Sequence, residues 1–154
     1  MIVWGIVGRK DSGKTTLTER LVAELSGRGL SVSTLKRTHH ALDLETPGTD
    51  SHRHRVAGAR QVILASDARL TVMEEVARPS FAVLLTRLAP CDVVLAEGWK
   101  AGGHPRIEAW RGGAAPLAVE DPGIRAVAAA APCTVAQPVL DLDDVGAIAD
   151  FLLR

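Results

Sequence analysis

Apolar residues run from Ile2 to Val7 and stop at Gly8, the pattern of a strand covered on both faces. Over residues 14–28 they fall instead at Leu17, Leu21, Val22 and Leu25, a helical stripe that Gly27 and Gly29 bring to an end. Residues 30–35 read as a second strand. Strand, glycine loop, helix and strand in succession form a βαβ unit, which predicts a parallel sheet with right-handed crossovers.

Farther along, residues 50–59 predict a short helix with Thr49 or Asp50 as its N-cap and Gly58 near its end. Gln61–Ala65 and Leu70–Glu74 are short strand candidates, and residues 80–88 form a helix entered just after Pro79. The run "CDVVLA" at 91–96 predicts a strand whose far end leads into Glu97, Gly98, Trp99 and Lys100. Arg106–Trp110 alternates like a more exposed strand. The tail predicts strands near Ile124–Ala129 and residues 135–140, then a closing helix over 143–152. There is no internal repeat, and the loops at 102–105 and 112–116 are too short to be linkers, so the expectation is one α/β domain over residues 1–154.

Composition narrows the function classes. Apolar residues make up 47% and charged residues 23% of 154, a globular balance, and the formal net charge of zero gives the whole molecule no attraction for nucleic acid or a membrane surface. With no tyrosine and two phenylalanines, a base-stacking platform is not expected. Cys91 and Cys133 lie in apolar stretches outside any paired-cysteine motif, which predicts two reduced, buried thiols in a cytoplasmic protein. The N-terminus lacks a basic leader and a small-residue cleavage site, so it reads as a first strand rather than a signal peptide. No apolar run is long enough to span a bilayer.

The chemistry concentrates between the first strand and the first helix. "GRKDSGKT", Gly8 to Thr15, fits the phosphate-loop pattern G-x-x-x-x-G-K-[ST] in the strand-to-helix context that the pattern requires. The fold class expected is therefore a three-layer P-loop NTPase α/β fold with a mostly parallel central sheet. Glycines let the backbone N–H groups of Gly8, Lys10, Asp11, Ser12 and Gly13 turn inward around an anion, and the helix start adds partial positive charge. Lys14 is expected to reach the β- and γ-phosphates, Thr15 to ligate Mg²⁺ and Thr16 to reach the α-phosphate. An acidic residue near the metal usually comes from the end of a neighbouring apolar strand, and "VVLAEG" supplies Glu97.

These stretches, taken in order, give the chain a family likeness. "GRKDSGKTTL", "LKRTHHALDLETPGTDS", "AEGWK" and "RIEAWR" together resemble the molybdopterin-guanine dinucleotide biosynthesis adapter family, the MobB-type proteins, from the N-terminus to about Arg111. The resemblance implies a small GTP- and Mg²⁺-binding protein, usually a homodimer with weak GTPase activity. Such a protein assists a separate molybdenum cofactor guanylyltransferase, of the MobA type, in attaching GMP to molybdopterin. Matching family positions are Gly13, Lys14, Thr15, Thr16, Glu97, Gly98 and Lys100, with His39, His40, Asp43, Pro47, Gly48 and Asp50 in the middle motif. Arg37 replaces a histidine often found in that motif, the late strand lacks the aspartate that usually follows it, and no asparagine/threonine-lysine-x-aspartate motif reads guanine. Guanine preference thus rests on the resemblance.

Four of the five histidines fall within residues 36–55. His39 and His40 are adjacent and His52 and His54 are two apart, spacings that suit zinc poorly. The segment follows the second strand, so His39 and His40 are expected near the nucleotide or an incoming pterin phosphate, with Asp43 holding Mg²⁺ through water. His52 and His54 read as solvated helix residues. Arg9 or Lys10 could reach a phosphate across a dimer. The alternative function is a small P-loop kinase using ATP, for which Arg53, Arg55 and Arg60 are the lid candidates.

Overall fold

The N-terminal apolar run lies in the interior of a parallel sheet. The computed structural model describes residues 1–38 and 45–154. In chain order the elements are β1 (Ile2–Val7), α1 (Lys14–Gly27), β2 (Val32–Lys36), α2 (Asp50–Val56), β3 (Gln61–Ala65), β4 (Leu70–Glu74), α3 (Phe81–Leu85), β5 (Val93–Glu97), β6 (Arg106–Trp110), β7 (Ile124–Ala129), β8 (Val139–Asp141) and α4 (Val145–Leu152). They divide into two compact units, Met1–Arg37 with Phe81–Arg154, and Thr38–Ser80.

In the first unit six strands pair in the order β2-β5-β1-β6-β7-β8, every neighbouring pair parallel. Alternation along the strands sends Trp4, Ile6, Val93, Leu95, Ile107, Ala109, Ala126 and Ala128 to one face. There they meet Leu17, Leu21 and Leu25 of α1 and Ile148, Ala149 and Leu152 of α4. Asp144 caps α4 by accepting the Ala147 N–H at 2.9 Å, and the Trp4 indole donates to the Leu152 carbonyl at 2.9 Å. On the opposite face Phe81, Leu84 and Leu85 of α3 cover Val3, Leu35, Ala96 and Trp99, while the short 3-10 helix Leu117–Val119 packs near Val7, Ile124 and Val127. The expected three layers are present.

Sequence and structure differ in β6, in the last strand and in the cysteines, and α2 and α3 end earlier than expected, at Val56 and Leu85. β6 is buried from Arg106 to Ala109 rather than exposed, because its charged residues are paired within the fold. Glu108 is fully enclosed and accepts the Leu117 and Ala118 N–H groups at 2.9 Å each, so a carboxylate holds the start of the 3-10 helix. Arg106 donates to Asp121 at 2.6 Å. The last strand is only Val139–Asp141, beginning after Pro138, whose ring nitrogen has no proton for a strand ladder. Both cysteines are free and half-buried, not sealed in the core.

His104, which drew no attention in the sequence, is 9% exposed and stacks on Phe81 with centroids 4.3 Å apart. Burial lowers its pKa from the usual 6.5, and the neighbouring Arg106 charge lowers it further.

In the second unit β3 and β4 form an antiparallel hairpin, with Ile63 opposite Val72 and Ala65 opposite Leu70. Val62 points to the other face and is buried. Ile63, Leu70 and Val72 are respectively 56%, 66% and 48% exposed, an apolar face open to solvent.

Two consequences for stability follow. Leu21 is fully buried between α1 and the sheet, so Leu21→Ala is expected to cost about 2–5 kcal/mol, read as a lower denaturation midpoint. Below pH 6.5 the unfolded chain takes up a proton at His104 before the folded protein does, so stability is full above that pH and falls as pH drops below it. His104→Gln should flatten this fall in denaturation curves recorded just below pH 6.5; an unchanged slope would locate the proton uptake elsewhere.

Candidate functional site

β1 delivers the chain to the carboxyl edge of the sheet, and the turn into α1 is made by residues with unusual backbone angles. Gly8 has φ 148°, and a Cβ there would stand 2.5 Å from the Ala109 carbonyl. Gly13, φ 91°, occupies the N-cap position of α1, and Asp11 is also left-handed at φ 60°. No side chain caps α1 and no acidic residue lies in its first turn, so the helix start presents bare N–H groups and uncompensated positive potential. Ser12 Oγ is buried without a hydrogen-bond partner in the same turn. The loop thus fits a phosphate group: open backbone donors, an orphaned hydroxyl and a helix dipole converge on one point.

Lys14 donates its ammonium to the Arg9 carbonyl, which holds the cation within the loop. Burial lowers its pKa, opposed by the Glu97 charge and reinforced by Lys100. Thr15, the next residue, donates its hydroxyl to Glu97 Oε1 at 2.9 Å. Parallel pairing causes this contact, because Ile6 of β1 is in register with Glu97 at the end of β5. Glu97 also pairs with Lys36 Nζ at 3.4 Å, Lys36 being its register partner on β2. A hydroxyl and a carboxylate at the mouth of an anion nest are hard oxygen donors of the kind Mg²⁺ takes.

The structure thus brings together Gly8, Ser12, Gly13, Lys14, Thr15 and Glu97, with Thr16 exposed in the first turn of α1 and Lys10 and Asp11 exposed on the loop. His39, His40 and Asp43 lie outside the described residues. Pro47, Gly48 and Asp50 belong to the second unit, where the His52 ring accepts the Gly48 N–H at 3.3 Å. Arg55 of that unit pairs with Glu45 and, at 3.4 Å, with Glu75. Among the described residues no three His, Cys, Asp or Glu side chains converge as a metal cluster.

Behind the Glu97 turn, Trp99 packs on Phe81 with centroids 5.2 Å apart, and the Arg37 guanidinium lies 5.1 Å over the Trp99 ring. Sequence reasoning missed two site residues. Lys36 ends a strand whose partner only the sheet order reveals. Arg111 follows β6 and lays its guanidinium on the phosphate loop, where a Cβ on Gly13 would meet its Nε at 2.7 Å. A basic residue just past the end of an apolar strand was the available signal for each.

A parallel sheet with a phosphate loop after an interior strand, a helix behind it and a carboxylate from the adjacent strand define the P-loop class of α/β proteins. Residues 3–130 match the family model MobB, molybdopterin guanine dinucleotide synthesis protein B, and the chain belongs to that family. It is 39% identical to a Haemophilus influenzae molybdopterin-guanine dinucleotide biosynthesis adapter protein, covering 96% of this chain and 85% of the relative. The Escherichia coli adapter protein is 35% identical, with 93% and 86% covered. Among solved structures, a MobB homolog from Bacillus stearothermophilus superposes with a TM-score of 0.73 at 30% identity, covering 99% of this chain and 96% of that one. A crystal structure of molybdopterin-guanine biosynthesis protein B gives a TM-score of 0.76 at 27% identity, with 99% and 98% covered.

Proposed function

We propose that this chain binds GTP with Mg²⁺ and acts as an adapter for a molybdenum cofactor guanylyltransferase in making molybdopterin guanine dinucleotide. The observation that carries the nucleotide part is the Thr15–Glu97 contact of 2.9 Å at the mouth of an uncapped, glycine-turned helix start. The adapter part is supported by the names of the Haemophilus influenzae and Escherichia coli relatives.

In this reading the loop N–H groups and Ser12 hold phosphate oxygens, and Lys14 leaves the Arg9 carbonyl for the β- and γ-phosphates. Thr15 and Glu97 hold Mg²⁺ or its water shell, whose chemistry is to neutralise charge on the terminal phosphates. Glu97 is engaged by Thr15 and Lys36 together, which supports a metal-shell acceptor over a free base, and the weak GTPase activity in this proposal rests on the family resemblance. A ligand-contacting role for His39, His40 and Asp43 is proposed from their match to the family's middle motif alone. Guanine preference rests on the family resemblance.

The protein is proposed to work as a homodimer. A two-stranded hairpin is marginal by itself, and the exposed Ile63, Leu70 and Val72 face of β3–β4 is an apolar surface suited to a second copy. Among the described residues no helix is long and apolar enough to cross a membrane.

Calorimetric titration with GTP–Mg²⁺ and ATP–Mg²⁺ tests the nucleotide reading: GTP should bind more tightly, and Lys14→Ala should lose the binding. Preference for ATP would instead favour a kinase and remove the guanine assignment. In sedimentation the wild type is expected as a dimer that Val72→Glu shifts towards monomer; a monomeric wild type would sink the dimer proposal.

A further inference from the structure

The loop after β6 forms a second wall beside the phosphate loop. Arg9 donates to the Ala115 carbonyl at 3.2 Å, and the Trp110 indole donates to the Ala114 carbonyl at 2.9 Å, so the segment following Trp110 is tied at two points. Arg111 emerges from β6 between these ties. Its guanidinium lies so close to Gly13 that a methyl group there would sit 2.7 Å from Nε and 3.2 Å from a terminal nitrogen. Arg111 is exposed and makes no hydrogen bond or ion pair among the described residues, although its neighbour Arg9 is fastened to the wall. A planar guanidinium with five unused donors therefore stands against the N-cap of α1, where the positive helix end already attracts an anion.

The position relative to the metal is set by strand order. β5 and β6 flank β1 on opposite sides. The β5 side contributes Glu97, which accepts the Thr15 hydroxyl of α1, and these two are the oxygen donors suited to Mg²⁺. Thr15 and Glu97 would hold Mg²⁺ on the β5 side, where it would neutralise charge on the terminal phosphates, which leaves the β6 side for the remaining phosphate.

We propose that Arg111 is a nucleotide-binding residue that grips the α-phosphate from the β6 side, supplying positive charge on the flank that the metal does not serve. The assignment rests on the nucleotide reading above. Glycine at position 13 is then required twice: for its left-handed backbone, and because any side chain would push the guanidinium off the loop.

The test is calorimetry of the full chain with GTP–Mg²⁺ and with GDP–Mg²⁺, for wild type, Arg111→Gln and Arg111→Lys. A charge-assisted contact to the α-phosphate, discounted for exposure, predicts that Arg111→Gln weakens GTP and GDP by the same factor, about tenfold. Arg111→Lys should lose less, since it keeps the charge without the planar fork. Unchanged affinity in Arg111→Gln would overturn the assignment, as would a loss confined to GTP, which would put the contact at the γ-phosphate. If the wild type binds neither nucleotide, the nucleotide reading fails and this inference falls with it. Equal unfolding midpoints for wild type and Arg111→Gln are expected from the exposure of Arg111; a lowered midpoint would transfer the decision to Arg111→Lys.

Discussion

Parallel pairing is the constraint from which the rest of the structure follows. When β1, β2, β5 and β6 run in the same direction, their carboxyl ends must lie at one edge, and whatever follows each strand is delivered there. The register of β1 with β5 sets Ile6 beside Glu97, which puts the carboxylate within reach of a threonine one residue into the next helix. β2 adds Lys36 and β6 adds Arg111 by the same logic. Residues separated by most of the chain therefore meet without any one local segment containing the site.

That edge concentrates positive potential. Among the described residues Lys14, Lys36, Arg111 and the uncapped start of α1 gather there, against the carboxylates of Glu97 and, on the loop, Asp11. Burial already works against the Lys14 charge, and the lowered pKa reflects that cost. Negative charge nearby offsets that cost, as Glu97 and Asp11 do for Lys14. The opposite solution operates below β6, where Glu108 is enclosed but receives two backbone N–H groups and needs no ligand.

The phosphate loop was legible in the sequence because its requirements are local: a strand, a fixed glycine spacing and a helix start lie within a few residues. The layers were also legible, since apolar spacing in α1 and the strands reports which faces are covered. β6 was misread because Arg106 and Glu108 alternate with apolar residues just as they would on an exposed strand. Only the arrival of Asp121 and of the Leu117 and Ala118 N–H groups reveals that these charges are inside. Lys36 and Arg111 escaped for a related reason: their importance depends on which strands are neighbours, and apolar periodicity carries no information on strand order.

The second unit, Thr38–Ser80, interrupts the chain between β2 and the strand that pairs with it. During synthesis β1 emerges first, yet Ile2 must wait for Val93 before it has a partner on one side, and Gly5 waits for Arg106 on the other. The entropic cost of closing that loop grows only logarithmically with its length, so the insertion weighs little on final stability. Its weight falls on time. An apolar strand made early is paired late: α1 follows at once to cover one face, but both edges of β1 lack a strand partner until β5 and β6 have been made.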